Sequence, residues 1–174
     1  MELSEKHVFS QIVIADAGPL IHLDELCCSD LLSSFAKALV PDAVWREVAL
    51  HRPDMLPANR MILSHCIVPK RPDIIQAIIP LYTLHTGEAE ALTLCLATPD
   101  SLLLTNDTAA RLAANSLRIT AHGTIGVIIR AIRTKQRTKT EVLSLLATIP
   151  THSSLHIRPS LLEEVTKSVQ ESVP

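Results

Sequence analysis

Two short apolar segments that each lead into an aspartate constrain the fold of this chain more than any other feature. Residues 11–15 end at Asp16, and residues 101–105 lead through Asn106 into Asp107. An unbroken apolar run of this length is typical of a strand that is buried on both faces, as in a parallel sheet. Segments with helical periodicity separate these runs, so the sequence predicts βαβ units and an α/β fold.

The other predicted elements follow from the same patterns. Strands are predicted at residues 11–15, 38–40, 61–68, 101–105 and 117–120, and helices at residues 19–26, 30–37, 42–50, 73–81, 86–97, 108–114, 123–133, 138–147 and 159–170. A length of 174 residues suits one domain. We expect a single domain over residues 1–174, with its core at about 11–135 and C-terminal helices at about 138–172.

Composition narrows the classes of function. The formal net charge is -2, so a basic coat for nucleic acid is excluded, and any nucleic acid must meet a local patch. Aromatic residues make up only 2%, which disfavours modules that stack bases on aromatic platforms. The polar N-terminus and the lack of a long apolar run predict a cytoplasmic protein without a membrane span.

Four carboxylates are predicted to meet at one edge of the sheet. Asp16 and Asp107 follow strands, while Glu47 and Glu88 lie early in helices that start at the same edge. Ligands of open parallel sheets bind outside the carboxyl ends of the strands. Clustered carboxylates raise one another's pKa, and a divalent cation such as Mg²⁺ relieves that repulsion. The sequence therefore predicts a cation site that could polarise a phosphodiester and activate water.

Each acid also has an ordinary structural interpretation. Asp16 and Asp107 could simply cap the helices that follow them, Glu47 could be solvated, and Glu88 could serve only the helix dipole. Glu90 could be a plain surface charge. Residues two apart on a helix point about 200° apart, so Glu88 and Glu90 should not both face one cation. We favour Glu88, because it is nearer to the start of its helix.

Basic residues near the chain's C-terminal third could contact phosphates. A run without any acid contains Arg130, Arg133, Lys135, Arg137 and Lys139, and Arg111 lies one helical turn after Asp107. Alternatively, the basic run is only a solvated helix end with its loop, and Arg111 is an ordinary arginine on the surface of its helix. If the run binds RNA, it contacts phosphates without reading bases.

The order of these motifs resembles the PIN-domain family, to which VapC-type toxin ribonucleases belong. The resemblance rests on Asp16, residues 41–48 (PDAVWREV), residues 104–107 (LTND), and the GEAEA and GTIGV sequences at 87–91 and 123–127. The last two resemble a largely uncharacterised PIN-like subgroup. The resemblance implies a three-layer α/β/α fold around a parallel sheet of about five strands. It also implies Mg²⁺- or Mn²⁺-dependent cleavage of single-stranded RNA.

The resemblance also implies roles for individual residues. The chain departs from the subgroup at Asn106, where a second Asp is frequent, and this removes a charge and a possible ligand. The implied catalytic residues are Asp16, Glu47, Glu88 and Asp107, the implied metal ligands are Asp16, Glu88 and Asp107, the supporting residues are Thr105, Asn106 and Glu90, and the nucleic-acid contacts are Arg111, Arg130, Arg133 and Lys135.

Two functions are compatible with this pattern. The first is a metal-dependent endoribonuclease, the toxin of a VapBC-like toxin–antitoxin pair, with single-stranded RNA, an antitoxin and a second copy of the chain as partners. The second is a PIN-like nucleic-acid-binding or regulatory module with little or no catalysis. An unrelated α/β phosphohydrolase is a third, weaker alternative.

The last predicted helix has an apolar stripe. Leu161, Leu162, Val165 and Val169 share one side of it. The stripe could pack on the chain's own core, or it could form a homodimer contact or a groove for an antitoxin helix.

Overall fold

The computed structural model of the chain describes residues 11–172 and is built around a five-stranded parallel sheet. The strands pair in the order β3-β2-β1-β4-β5, and each neighbouring pair is parallel. This confirms the predicted α/β class and its sheet of about five strands. The strands are β1 (Ile12–Ala15), β2 (Lys37–Pro41), β3 (Leu63–Cys66), β4 (Leu102–Leu104) and β5 (Ala121–His122).

Helices connect the strands and follow the last one. They are α1 (Ala17–Glu25), a 3-10 helix (Ser29–Ser34), α2 (Asp42–His51), α3 (Met55–Ala58), α4 (Asp73–Tyr82), α5 (Thr86–Ala97), α6 (Thr108–Ser116), α7 (Thr124–Arg133), α8 (Lys139–His152) and α9 (Pro159–Glu171). Between residues 11 and 172, none of them has the length and apolar character that crossing a membrane requires.

The two faces of the sheet are both covered, which gives the three layers. Because side chains alternate along a strand, Val13 lies in one apolar cluster and Ile14 in the other. The first cluster includes buried side chains of α1, α2, α7 and α8, and the second includes those of α4, α5 and α6. Burial on both faces explains why the strands are continuous apolar runs instead of alternating ones.

The strand order creates a switch point at the middle of the sheet. From β1 the chain moves outward through β2 to β3, then crosses back to β4 on the other side of β1. The backbone N–H of Asp16 donates to the carbonyl of Leu104 at 2.9 Å, so the carboxyl ends of β1 and β4 are tied together. A crevice at such a point is where open α/β sheets bind ligands.

Two predicted elements are wrong in type or position. The predicted helix at 30–37 is a 3-10 helix that ends at Ser34, and β2 already begins at Lys37. The residues predicted as a strand at 117–120 instead follow the end of α6 and begin with a turn, in which Arg118 adopts a left-handed conformation with φ of 59°. The fifth strand follows at Ala121–His122.

The apolar stripe of the last helix packs mainly within the chain. Val169 is buried, and Leu162 and Val165 pack against the first apolar cluster. Leu161 is 40% exposed. Three of the four side chains therefore have the intramolecular role, which leaves Leu161 alone available on this stripe.

Candidate active site

Asp16 and Asp107 are joined through the hydroxyl of Thr105. Thr105 Oγ1 donates to Asp16 Oδ2 at 2.9 Å and accepts from the backbone N–H of Asp107 at 3.1 Å. Thr105 is fully buried, so its hydroxyl has one fixed environment. The hydroxyl therefore fixes the Asp16 carboxylate against the end of β4, while its supporting role in catalysis stays a prediction.

Both aspartates also cap helices, as their structural interpretation predicts. Asp16 accepts from the N–H of Ala17 at 2.8 Å at the start of α1. Asp107 Oδ1 accepts from the N–H of Ala110 at 2.7 Å at the start of α6. Capping holds each carboxylate at the carboxyl edge of the sheet, so the structural role and a ligand role are compatible.

The environment of Asp16 is unfavourable to its negative charge. Burial raises the pKa of Asp16 to about 6, although the hydrogen bonds from Thr105 and Ala17 act in the opposite direction. Repulsion from Glu88 and Glu47 adds to the increase. A carboxyl group with a pKa near neutrality is typical of functional sites, although structural networks also produce it.

Glu88 and Glu47 approach the same crevice from two helices. Burial, and then repulsion from Asp107 and Glu47, raise the pKa of Glu88, while a hydrogen bond from the His85 N–H lowers it. Glu47 lies on the exposed side of α2. The four predicted acids are therefore within electrostatic range of one another.

Gly87 allows the two helices to come close to Asp16. A Cβ at this position would lie 3.2 Å from Val44 Cγ2, 3.7 Å from Glu47 Oε2 and 3.9 Å from Asp16 Oδ1. The bare backbone of Gly87 thus forms part of the wall between these two carboxylates. The sequence signal for this role is the glycine directly before Glu88.

Glu90 has a different partner from Glu88. Its Oε2 accepts from the backbone N–H of Ala43 at 2.7 Å, in the first turn of α2. A carboxylate there satisfies one of the free N–H groups and interacts favourably with the helix dipole. Glu90 therefore positions the helix that contains Glu47, and its supporting role in catalysis stays a prediction.

Asn106 connects α1 to α7 through hydrogen bonds to His22 and Thr124, and this set of contacts is called the lock. Asn106 Nδ2 lies 2.8 Å from both His22 Nδ1 and Thr124 Oγ1, and its Oδ1 accepts from the N–H of Thr124 at 2.9 Å. Burial lowers the pKa of His22, so the neutral ring can accept from the amide. Sequence reasoning named Asn106 as a supporting residue in place of a possible acidic ligand, but it did not predict His22 and Thr124 as its partners.

This lock requires a glycine at position 123. A Cβ there would lie 2.5 Å from Asn106 Oδ1. We expect Gly123→Ala to break the lock and to lower the free energy of unfolding by about 1–3 kcal/mol, as a hydrogen-bonded polar network is disrupted. Chemical denaturation checks this, with Gly126→Ala as the control, because its Cβ would be no closer than 3.4 Å to His122. Equal losses in both variants would contradict the lock.

Arg130 is not a surface contact for RNA, and this part of the prediction is wrong. It is 8% exposed, and its guanidinium lies 4.4 Å from the centre of the Phe35 ring. Its Nε also lies within 3.4 Å of Ser34 Oγ. The basic run continues beyond the helix, but this arginine points to the segment after the 3-10 helix and packs there.

The rest of the basic run divides into two pairs. Arg137 binds both carboxylate oxygens of Asp30, and Lys139 donates to carbonyls at the end of α9. Arg133 and Lys135 are exposed, and their side chains have no hydrogen bond or ion pair within the described residues. Only the second pair is available to a phosphate.

Arg111 lies at the edge of the crevice. Its Nη1 is 3.4 Å from the carbonyl oxygen of Thr105, and its residue is exposed in the first turn of α6. The guanidinium is therefore close to the end of β4, where Asp107 follows. The phosphate contact of Arg111 next to the acids stays a prediction.

The carboxylate oxygens of the crevice are suitable ligands for a divalent cation, but their positions do not form a complete coordination site. Carboxylate oxygens are the ligands that Mg²⁺ prefers. Burial, and to a smaller degree repulsion from Glu88 and Glu47, raise the pKa of Asp16, and a bound cation would favour the charged form of this carboxyl group. In residues 11–172, no three His, Cys, Asp or Glu side chains are close enough together to hold an ion. Direct coordination thus requires the longer side chains to turn inward, and the metal site stays a prediction.

Comparison with known families decides the classification of the fold. A family model described as a PIN domain, DUF3368, matches residues 12–171. The chain belongs to the PIN-domain family. No curated protein and no solved structure matches the PIN domain of this chain.

Membership in the family indicates a general function for the chain. PIN domains are generally nucleases, and they typically act with divalent metal ions. The three-layer fold and its parallel sheet agree with this assignment. A nuclease-type function on nucleic acid is therefore the general conclusion for this PIN domain.

Proposed function

We propose that this PIN domain is a metal-dependent endoribonuclease that cleaves single-stranded RNA. The observation that supports it most is the crevice at the β1–β4 switch point, where four carboxylates interact and burial and repulsion raise the pKa of Asp16 to about 6. Glu88 also has a structural role, because it accepts from the backbone N–H of His85 at 2.8 Å at the start of α5, but helix capping does not account for four acids in one crevice. A cation-dependent phosphodiesterase does account for them.

Asp16, Glu88 and Asp107 would hold Mg²⁺ or Mn²⁺ in this proposal. The cation, when bound, polarises the phosphodiester and lowers the pKa of a bound water. Thr105 orients Asp16 through its hydroxyl, and Glu47, on the exposed side of α2, completes the acidic rim. Asn106 acts by positioning α7, since both of its polar atoms have partners.

The two glutamates of the GEAEA segment should differ in their effect on catalysis. We expect Glu88→Gln to lower the cleavage rate by about a hundredfold or more, because it removes a charge from the crevice. Glu90→Gln keeps an acceptor for Ala43 N–H, so we expect less than a threefold change in rate and a stability loss of about 0.5–1 kcal/mol. Rates under single-turnover conditions and thermal melts check this pair. The opposite ranking would mean that Glu90 is the ligand.

Arg133 and Lys135 are proposed to bind RNA phosphates without base specificity. We expect Arg133→Ala or Lys135→Ala to weaken RNA binding evenly across sequences and to reduce the salt dependence by about one unit per lost contact. Binding is measured across a salt series with the Asp16→Asn protein and Ca²⁺. Arg137→Ala is the matched control, because Arg137 is paired with Asp30. An unchanged slope in both single variants would show that the run is only a solvated surface.

The substrate class is tested with labelled oligonucleotides of one sequence. Single-stranded RNA, the same sequence as single-stranded DNA, and an RNA duplex are incubated with the protein and Mn²⁺. We expect internal cleavage of the single-stranded RNA alone. Cleavage of DNA at the same rate would contradict the ribonuclease assignment and leave a general nuclease.

The biological role is proposed to be that of a toxin in a VapBC-like pair, with an antitoxin and a homodimer as partners. Large apolar side chains that are exposed in the structure are compatible with protein partners, namely Leu50, Met61, Ile67, Ile74 and Leu81. Induced expression should arrest growth, and Asp16→Asn should not. Light scattering of the purified protein tests the dimer, and a mass for one copy at high concentration would contradict it.

A second candidate is a nucleic-acid-binding or regulatory module with little catalysis. Two observations favour it: Asn106 stands in place of a possible ligand, and no three metal-binding side chains in the described part of the chain form a ready site. This candidate predicts RNA binding by the natural protein with no cleavage in either Mg²⁺ or Mn²⁺.

A further inference from the structure

A cleft of about 410 Å³ adjoins the acidic crevice, between α6, the start of α7 and the segment that leads into α9. Asn106 and Arg111 line it. Arg111 also contacts the carbonyl of Thr105, two residues before Asp107. The cleft therefore lies next to Asp107, one of the predicted metal ligands.

The walls of the cleft have two different characters. Arg111, His122 and His156 form polar parts of the lining. Burial lowers the pKa of His122 most, and the positive charges of Arg111, Arg130 and Arg133 lower it further. Positive charge is therefore concentrated on this side of the cleft. An anionic group would be attracted to this wall, in contrast to the acidic crevice beside it.

The remaining lining is largely apolar. Ile125 and Ile157 are partly buried and pack against the first apolar cluster, while Leu161 is 40% exposed at the start of α9. A mostly apolar pocket with a few polar groups is typical of a small-molecule site, and this volume is within the usual range of about 300–1,000 Å³.

We propose that this cleft binds one unpaired nucleotide of the RNA, next to the phosphate that is cleaved. The base would lie against Ile125, Ile157 and Leu161, and Arg111 would contact its phosphate. Recognition of single-stranded RNA commonly uses such splayed bases. The inference rests on the proposed ribonuclease function for its substrate, but its first test measures binding of nucleotides alone.

The first test titrates the natural protein with the four nucleoside 5′-monophosphates and with ribose 5-phosphate, without metal. Heteronuclear NMR follows the signals of Gly126, His122 and His156. We expect at least one nucleotide to bind about fivefold or more tightly than ribose 5-phosphate, because the apolar wall contacts only the base. Equal affinities would reduce the cleft to a phosphate site and overturn the inference.

Leu161→Trp fills the cleft and leaves the acids untouched. We expect it to weaken nucleotide binding by about tenfold. Leu112→Trp is the matched control, since Leu112 is an exposed leucine of α6 that does not line the cleft, and it should change binding less than twofold. Equal effects of both variants would also overturn the inference. If Leu161→Trp fails to fold, the milder Leu161→Ala is compared with Leu112→Ala, with the same ranking expected.

A second test places the nucleotide in RNA. An abasic residue is moved along a single-stranded oligonucleotide, and binding is measured with the Asp16→Asn protein and Ca²⁺. We expect one position next to the cleavage site to be sensitive, and we expect Leu161→Trp to remove that sensitivity. If the protein cleaves RNA but no position is sensitive, the nucleotide site in the cleft is contradicted and the proposed ribonuclease function is supported. If nucleotides bind but no RNA is cleaved, the nucleotide site in the cleft is supported and the proposed ribonuclease function is contradicted.

Discussion

Asp16→Asn is expected to abolish RNA cleavage and, at the same time, to make the protein more stable at pH 7. Loss of a metal ligand should lower the rate by about a thousandfold or more, because several kcal/mol of stabilisation of the transition state are lost. The gain in stability follows mainly from removal of a charge that burial disfavours, and to a smaller degree from relief of the repulsion by Glu88 and Glu47. A catalytic residue that opposes folding is a sign of function.

The stability gain has a definite sign and pH range. Because the pKa of Asp16 is raised from 3.8 to about 6, the folded state holds its proton more tightly than the unfolded state does. The contribution of Asp16 to stability is therefore complete below pH 4 and is lost as the pH rises through 6. We expect Asp16→Asn to gain about 1–2 kcal/mol at pH 7, since reversal of the Thr105 hydrogen bond offsets part of the benefit.

Thermal melts of both proteins between pH 4 and pH 8, without metal, measure this difference. A gain of this size corresponds to an increase of about 2–8 °C in Tm for a domain of this length. The difference between the two proteins should decrease toward pH 4, where Asp16 is protonated. A variant that is less stable than the natural protein at every pH would contradict an environment that disfavours the charge of Asp16.

Cleavage by the natural protein should fall steeply below pH 6 when Mn²⁺ is limiting. A protonated carboxyl group is a poor ligand, so each pH unit below 6 should lower the rate by about tenfold. The raised pKa of Glu88 acts in the same direction. Rates are measured from pH 4.5 to pH 8 at two Mn²⁺ concentrations.

Comparing the two Mn²⁺ concentrations shows whether the rate falls at low pH because metal binding weakens or because the protein unfolds. A higher Mn²⁺ concentration competes with protons, so it should move the midpoint of the profile to lower pH. The same midpoint at both concentrations would contradict metal binding by a group with the pKa of Asp16.

The sequence was sufficient to predict the crevice because the signals there are local. Each aspartate directly follows an apolar strand, and parallel strands bring their carboxyl ends to one edge of the sheet. The separation of Glu88 from Glu90 followed from helix geometry alone, and the contact of Glu90 with Ala43 agrees with it.

Errors arose where contacts between distant residues decide the structure. Arg130 has the position of a solvated helix end, but the ring of Phe35 comes from another part of the chain and covers it. The predicted end of a helix at 147 is also too early, because α8 continues through Pro150, where the buried Ile149 anchors its last turn. The two-residue strand β5 is too short to give a periodic signal, and Arg118 only marks the turn before it.

The metal site itself is tested most directly by a crystal structure of the protein soaked in Mn²⁺, with anomalous scattering recorded at the manganese absorption edge. We expect one anomalous peak at the β1–β4 crevice, bonded to Asp16 and to at least one of Glu88 and Asp107 at about 2.0–2.3 Å. Crystals of Asp16→Asn, treated in the same way, should lack this peak. A crevice without an anomalous peak, or a peak that persists in the variant, would contradict a metal centre built on these acids.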